Sequence, residues 1–289
     1  MIFFSKLILS LFWGIFFLIV ASCGEIGSKK DFSNSPMYDF ANPKVIKLPQ
    51  ELDEISGIAY YAKDTSVFAI IDEDGLLFKI PLKQPANVRQ WKFDKKRDFE
   101  DIVLVDSTFY VLVSDGDIER IVFKGDNITT SRSKFSDFSA SGNEFEILYA
   151  SEDSSGLVLV CKTCEGDAKK TISRFSYNYT DSVRNYKPML SLNMAPVAEK
   201  LGINKHLKAS AAAINPVTKD LYMVSSIQKL VVVFDAKGDF KELYKLDPAL
   251  YKQPEGIAFT PAGDLIISNE FAGDGFATLL IMKNKRKEK

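Results

Sequence analysis

The sequence predicts an all-β fold, a single five-bladed β-propeller, and three observations carry that prediction. First, a short phrase recurs five times: Glu54-Ile-Ser-Gly-Ile-Ala59, Asp98-Phe-Glu-Asp-Ile-Val103, Glu144-Phe-Glu-Ile-Leu-Tyr149, Lys208-Ala-Ser-Ala-Ala-Ala213 and Gln253-Pro-Glu-Gly-Ile-Ala258. The intervals between copies are 44, 46, 64 and 45 residues. Second, each copy is followed by a second apolar run, starting at Val67, Phe109, Leu157, Leu221 and Leu265. A third run then starts at Leu76, Ile118, Thr171, Leu230 and Ala277. Third, Asp-Gly, Gly-Asp and Lys-Asp pairs separate the runs, which is strand and hairpin chemistry. Four short antiparallel strands per roughly 45 residues is the arithmetic of a propeller blade. The long interval holds Ala195–Lys205, a short helical stretch, and no further four-strand pattern. Six blades are the runner-up.

Taken in order along the chain, the first residues read as an address. Lys6 precedes an apolar stretch from Leu7 to Val20, followed by the small residues Ala21 and Ser22. A cationic start, an apolar run and small residues before a cut make a secretory signal. The stretch is short for a bilayer span, which needs about 20 apolar residues. Val20-Ala21-Ser22-Cys23 resembles a bacterial lipobox. That resemblance implies a diacylated Cys23 as the mature N-terminus, anchored in a membrane. Residues 1–22 are then a signal peptide and 23–42 a flexible tether. Residues 43–283 form the propeller, and 284–289 a basic, solvated tail. The expected location is the bacterial cell envelope, on the outer or plasma membrane, with the propeller outside the cytoplasm.

Composition narrows the function. The chain has 289 residues, 46% of them hydrophobic, with 22 Phe, 11 Tyr and 2 Trp, enough for a large core. A net charge of -1 argues against nucleic acid as a partner, because phosphate tracking needs a basic face. One His excludes polyhistidine metal sites, and three Cys exclude a disulfide-dense scaffold. Cys161-Lys-Thr-Cys164 reads as a hairpin disulfide or two free thiols rather than a redox centre. His206 stands without an acidic neighbour or a second His, as a loop or channel-wall residue. No phosphate-cradling motif and no G-x-S-x-G elbow is present.

The phrases around Leu52–Ala59, Asp98–Ile102, Glu144–Ile147 and Gln253–Ala258 resemble the SdiA-regulated domain family of bacterial envelope proteins. That family is distantly similar to NHL-repeat propellers. The resemblance spans about Val45 to Met282 and implies a five-bladed propeller with a bound calcium ion and no established activity.

Aligning the repeats sets Ser56, Glu100, Glu146, Ser210 and Glu255 at one position of the inner strand. Two residues earlier come Glu54, Asp98, Glu144, Lys208 and Gln253. Residues two apart on a strand point the same way, so both sets are expected to line the channel as rings. Converging glutamates repel unless a cation sits among them. Oxygen-only donors favour a hard ion such as calcium, the ion the family resemblance also implies. The expected ligands are Glu100, Glu146 and Glu255, then Glu54, Asp98 and Glu144, with Ser56, Ser210 and Lys208 lining the channel. Alternatively the acids are solvated or pair with Lys208. The expected function is a calcium-binding, non-enzymatic binding or scaffold module for a glycan, peptide or protein, acting as a monomer. The alternative is a metal-dependent hydrolase, a lactonase or phytase-like phosphoesterase, using the same carboxylates.

Overall fold

A computed structural model describes residues 35–135, 143–152, 156–164, 167, 170–179, 186–203, 207–273 and 275–288. The signal peptide, Cys23 and His206 lie outside these residues. Among the described residues no helix is long and apolar enough to cross a membrane.

Five four-stranded antiparallel sheets form the blades of a ring. Blade one is β2 (Ile55–Tyr61), β3 (Ser66–Ile71), β4 (Leu76–Pro81) and β5 (Arg89–Lys92). Blade two is β6 (Phe99–Val105), β7 (Thr108–Val113), β8 (Ile118–Lys124) and β9 (Asn127–Ser133). Blade three is β10 (Glu144–Ala150), β11 (Leu157–Thr163), β12 (Thr171–Tyr177) and β13 (Tyr186–Asn193). Blade four is β14 (Ala211–Ile214), β15 (Leu221–Ser225), β16 (Leu230–Phe234) and β17 (Phe240–Lys245). Blade five takes β18 (Pro254–Phe259), β19 (Leu265–Asn269) and β20 (Thr278–Met282), and closes with β1 (Lys44–Lys47). The last blade therefore borrows its outer strand from the start of the propeller, with Lys44 opposite Ile281 and Lys47 opposite Thr278. This covers the edge of β20. The long interval is filled by α1 (Ala195–Leu201), stopped by Gly202 at φ 65°, and the blade count stays at five.

The core lies between blades. Five clusters of buried apolar side chains fill the five interfaces. Along each inner strand, successive side chains serve opposite neighbours: Ile58 packs between blades five and one, Ala59 between one and two. The period-two alternation is thus spent on the two interfaces, and the strand's edge faces the axis. Between blades one and two, Phe68, Trp91, Phe109 and Phe123 interlock with ring centroids 4.4–6.2 Å apart. Such pairs add about 0.5–1.5 kcal/mol each beyond the area they bury.

The expected tether ends early. Met37, Tyr38 and Phe40 are buried in the interface of blades four and five. Tyr38 Oη donates to Gly263 O (2.7 Å) and accepts from Asn215 Nδ2 (2.7 Å), while Tyr251 Oη donates to Phe40 O (2.9 Å). The three apolar residues set in a polar stretch make residues 35–42 a strap across two blades. The tail is also tied down at its start. Asn284 is buried, its N–H donates to Asp264 Oδ1 (3.1 Å), and Lys285 N–H donates to Met37 O (3.0 Å).

Candidate functional site: the channel mouth

What brings side chains to the axis is a repeated bulge. In blade two Phe99 faces Val113 and Asp101 faces Leu112, so Glu100 is an extra residue with no partner in the ladder. Glu146 is extra in blade three and Glu255 in blade five, and Ser56-Gly57 fall in the same irregularity of blade one. In blade four Ser210 stands just ahead of β14, its N–H donating to Val224 O (2.9 Å). A bulge twists the strand locally and re-aims the extra side chain. The first predicted ring is therefore a set of equivalent positions, but bulging, not strand alternation, turns it inward. Glycine follows the bulge in blades one and five because inner strands close in there. A Cβ on Gly57 would lie 2.6 Å from Asp101 Cα, and one on Gly256 would lie 2.6 Å from Ser56 O.

The second predicted set, Glu54, Asp98, Glu144, Lys208 and Gln253, stands at the start of the inner strands, at the mouth. Sequence reasoning missed a third set where each second strand closes: Asp72, Ser114, Ser226 and Glu270 directly follow theirs, and Lys162 lies one residue inside the end of β11. Backbone bonds repeat around it, from Asp72 N to Glu54 O (3.3 Å), Ser114 N to Asp98 O (2.9 Å) and Glu270 N to Gln253 O (2.9 Å). The available signal was the uniformly polar residue closing every second apolar run.

The electrostatics are those of crowded acids. Burial pushes the Glu100 carboxyl up to about 8, aided by Asp98, Glu144 and Glu255 and opposed by Lys162. Glu270 is raised to about 7 by burial, then by Glu255, Asp72 and Glu54. Glu54 is raised chiefly by the charge of Asp72, and Asp72 chiefly by burial. Burial also raises Glu255, although the hydroxyls of Ser226 and Ser210 hydrogen-bond its carboxylate. Oδ1 of Asp72 is buried with no hydrogen-bond partner.

The expected metal ligands do not gather as a ligand set. Among the described residues no three Asp, Glu, His or Cys side chains are placed to hold a metal ion. The Nζ of Lys162 instead sits against Glu146 Oε1 and 3.4 Å from Glu144 Oε1. As the residues stand, the mouth does not fit a calcium ion. Lys208 is exposed and makes no ion pair with the ring. Its backbone carbonyl accepts from Ser225 Oγ and its N–H donates to Gln228 Oε1 (3.3 Å). Ser56 Oγ donates to Glu100 O in the next blade, and Ser56 O accepts from Ser268 Oγ (3.1 Å) in the preceding one. Ser56 is therefore a joint between blades. Asp101, unassigned by the sequence, has the same role: its buried carboxylate accepts from Ile102 N (2.8 Å) and from Leu148 N of blade three (2.9 Å). Burial raises its pKa well above the usual carboxylate range. Cys161 and Cys164 form a disulfide, with Cα atoms 5.7 Å apart.

The other end of the channel has different chemistry. There the inner strands of all five blades surround a cavity of about 440 Å³, walled by residues such as Ala59, Val103, Tyr149, Ala213 and Ala258. The channel is acidic where the inner strands begin and largely apolar where they end.

No family model matches the chain, and no curated protein matches it. Solved structures do resemble it. The PQQ-bound aldose sugar dehydrogenase from Streptomyces coelicolor superposes with a TM-score of 0.51 and 11% identity, over 84% of this chain and 98% of that one. A luciferin-regenerating enzyme gives 0.49 and 12%, over 84% and 96%. The calcium-binding protein regucalcin from Agrobacterium tumefaciens gives 0.46 and 11%, over 88% and 96%. At such identities the likeness concerns the fold alone: the chain is a β-propeller, and its own strands make it five-bladed.

Proposed function

We propose that the chain is a non-enzymatic binding module of the bacterial cell envelope, held to a membrane through lipidated Cys23, whose acidic channel mouth receives a positively charged group of its ligand. One observation carries the binding role: Glu54 and Asp72 of blade one and Glu270 of blade five crowd one opening, and burial and neighbouring carboxylates raise the pKa of each. A cation from outside relieves the repulsion between them. The chemistry fits a lysine- or arginine-bearing peptide or protein surface. Calcium is not carried into this reading, since no three carboxylates gather around one point. The alternative of a metal-dependent hydrolase needs the same carboxylates as metal ligands and is not favoured for the same reason.

The test is titration calorimetry of the full chain in detergent with oligolysine and oligoglutamate peptides. Binding of the basic peptide alone, weakened by Glu270→Gln and by added salt, supports the reading. Equal binding of both peptides, or none, refutes it. Mass spectrometry of the membrane fraction tests the anchor, and an unmodified or uncleaved Cys23 refutes that part.

A further inference from the structure

Of the five residues at the close of the second strands, the four that directly follow their strands are acids or serines, Asp72, Ser114, Ser226 and Glu270, and the fifth, one residue inside the end of β11, is Lys162. That lysine lies among the densest carboxylates of the mouth. Its ammonium pairs with Glu146 and stands 3.4 Å from Glu144, and its charge acts on Glu100 and Glu255 in blades two and five. Glu146 is almost fully buried, so its pairing has little help from solvent.

The local chain explains how the ammonium is held. Cys161 and Cys164 are both buried between blades two and three, and their disulfide closes the segment containing Lys162. Lys162 is the extra residue of a second bulge, since Glu144 faces Thr163 and Phe145 faces Cys161, and a bulge re-aims its side chain, here onto the acids of β10. The Cys-Lys-Thr-Cys sequence thus fixes a cation, and its bridge has a positioning role at the channel.

We propose that Lys162 is the built-in counter-cation of the channel: its ammonium, positioned by the Cys161–Cys164 bridge, takes the place that a divalent ion would need to fill among Glu144, Glu146, Glu100 and Glu255. The propeller axis is closed by the chain itself and does not depend on metal. This holds whatever the outer acids of the mouth bind.

The experiment compares the full chain with Lys162→Met, Lys162→Arg and the double change Cys161→Ser/Cys164→Ser, all in detergent. Melting temperature is recorded in EGTA and in excess calcium, and calcium affinity by calorimetry. The wild type is expected to melt at the same temperature in both and to carry no stoichiometric calcium. Lys162→Met is expected to melt lower in EGTA and to recover with calcium. Its calcium affinity should rise on the order of tenfold or more, from loss of a unit charge beside the carboxylates. Lys162→Arg should behave as wild type, and the double serine variant should shift in the direction of Lys162→Met. A wild-type chain that loses stability in EGTA, or that purifies with one calcium, overturns the proposal even if Lys162→Met fails to fold. A folded Lys162→Met variant with no change in calcium response overturns it as well.

Discussion

Replacing Glu100 by Gln should make the propeller more stable at mildly alkaline pH. The carboxyl sits on the blade-two bulge, and burial with the neighbouring acids lifts its pKa from 4.5 to about 8. The folded chain thus holds this proton more tightly than the unfolded chain. Below the unfolded value both states are protonated and nothing is lost. As pH rises towards the folded value, the unfolded chain ionises first and stability falls. For a carboxyl displaced from 4.5 to about 8, the loss between about pH 5 and pH 8 is at most on the order of 3 kcal/mol, at about 1.4 kcal/mol per tenfold. Glutamine keeps the shape and cannot ionise. Urea unfolding of wild type and Glu100→Gln across that range should give nearly equal stability at the acidic end, with the variant ahead at the alkaline end. A variant that keeps the wild-type pH slope, or that is less stable at pH 8, refutes the reasoning. Glu270, raised to about 7, should add a smaller decline of the same sign.

Tyr38→Phe should cost about 1–3 kcal/mol, because the Asn215 amide and the Gly263 carbonyl each lose a buried partner; urea unfolding measures it. Deleting residues 35–48 should open blade five and expose the edge of β20, giving concentration-dependent association by light scattering. Gly57→Ala should destabilise by about 1–3 kcal/mol in thermal melts, since its methyl group meets the blade-two backbone at 2.6 Å.

Much of the fold was written locally. The repeat phrases, the apolar runs and their turn pairs set out the blades, and the helix in the long interval begins at Ala195 as expected. Some features were not local. Val45 and Ile46 pair with Leu280 and Leu279, more than two hundred residues away, and nothing near them in sequence announces that pairing. Met37, Tyr38 and Phe40 were an isolated apolar group in a polar stretch, and only the gap between blades four and five gives them a place.

The site divides in the same way. The sequence by itself determined the five equivalent positions Ser56, Glu100, Glu146, Ser210 and Glu255, because a repeat places like residues alike. Tertiary structure decided what turns them inward, since a bulge is a property of paired strands and two-residue alternation is used by the blade interfaces. It also decided their counter-charge. Lys208 shares the repeat's alignment yet is exposed, whereas Lys162, from another strand and fixed by a disulfide, meets the acids. Charge compensation depends on distance through space. A residue's place in a repeat fixes its blade and depth, but its ion partner emerges only when the ring closes.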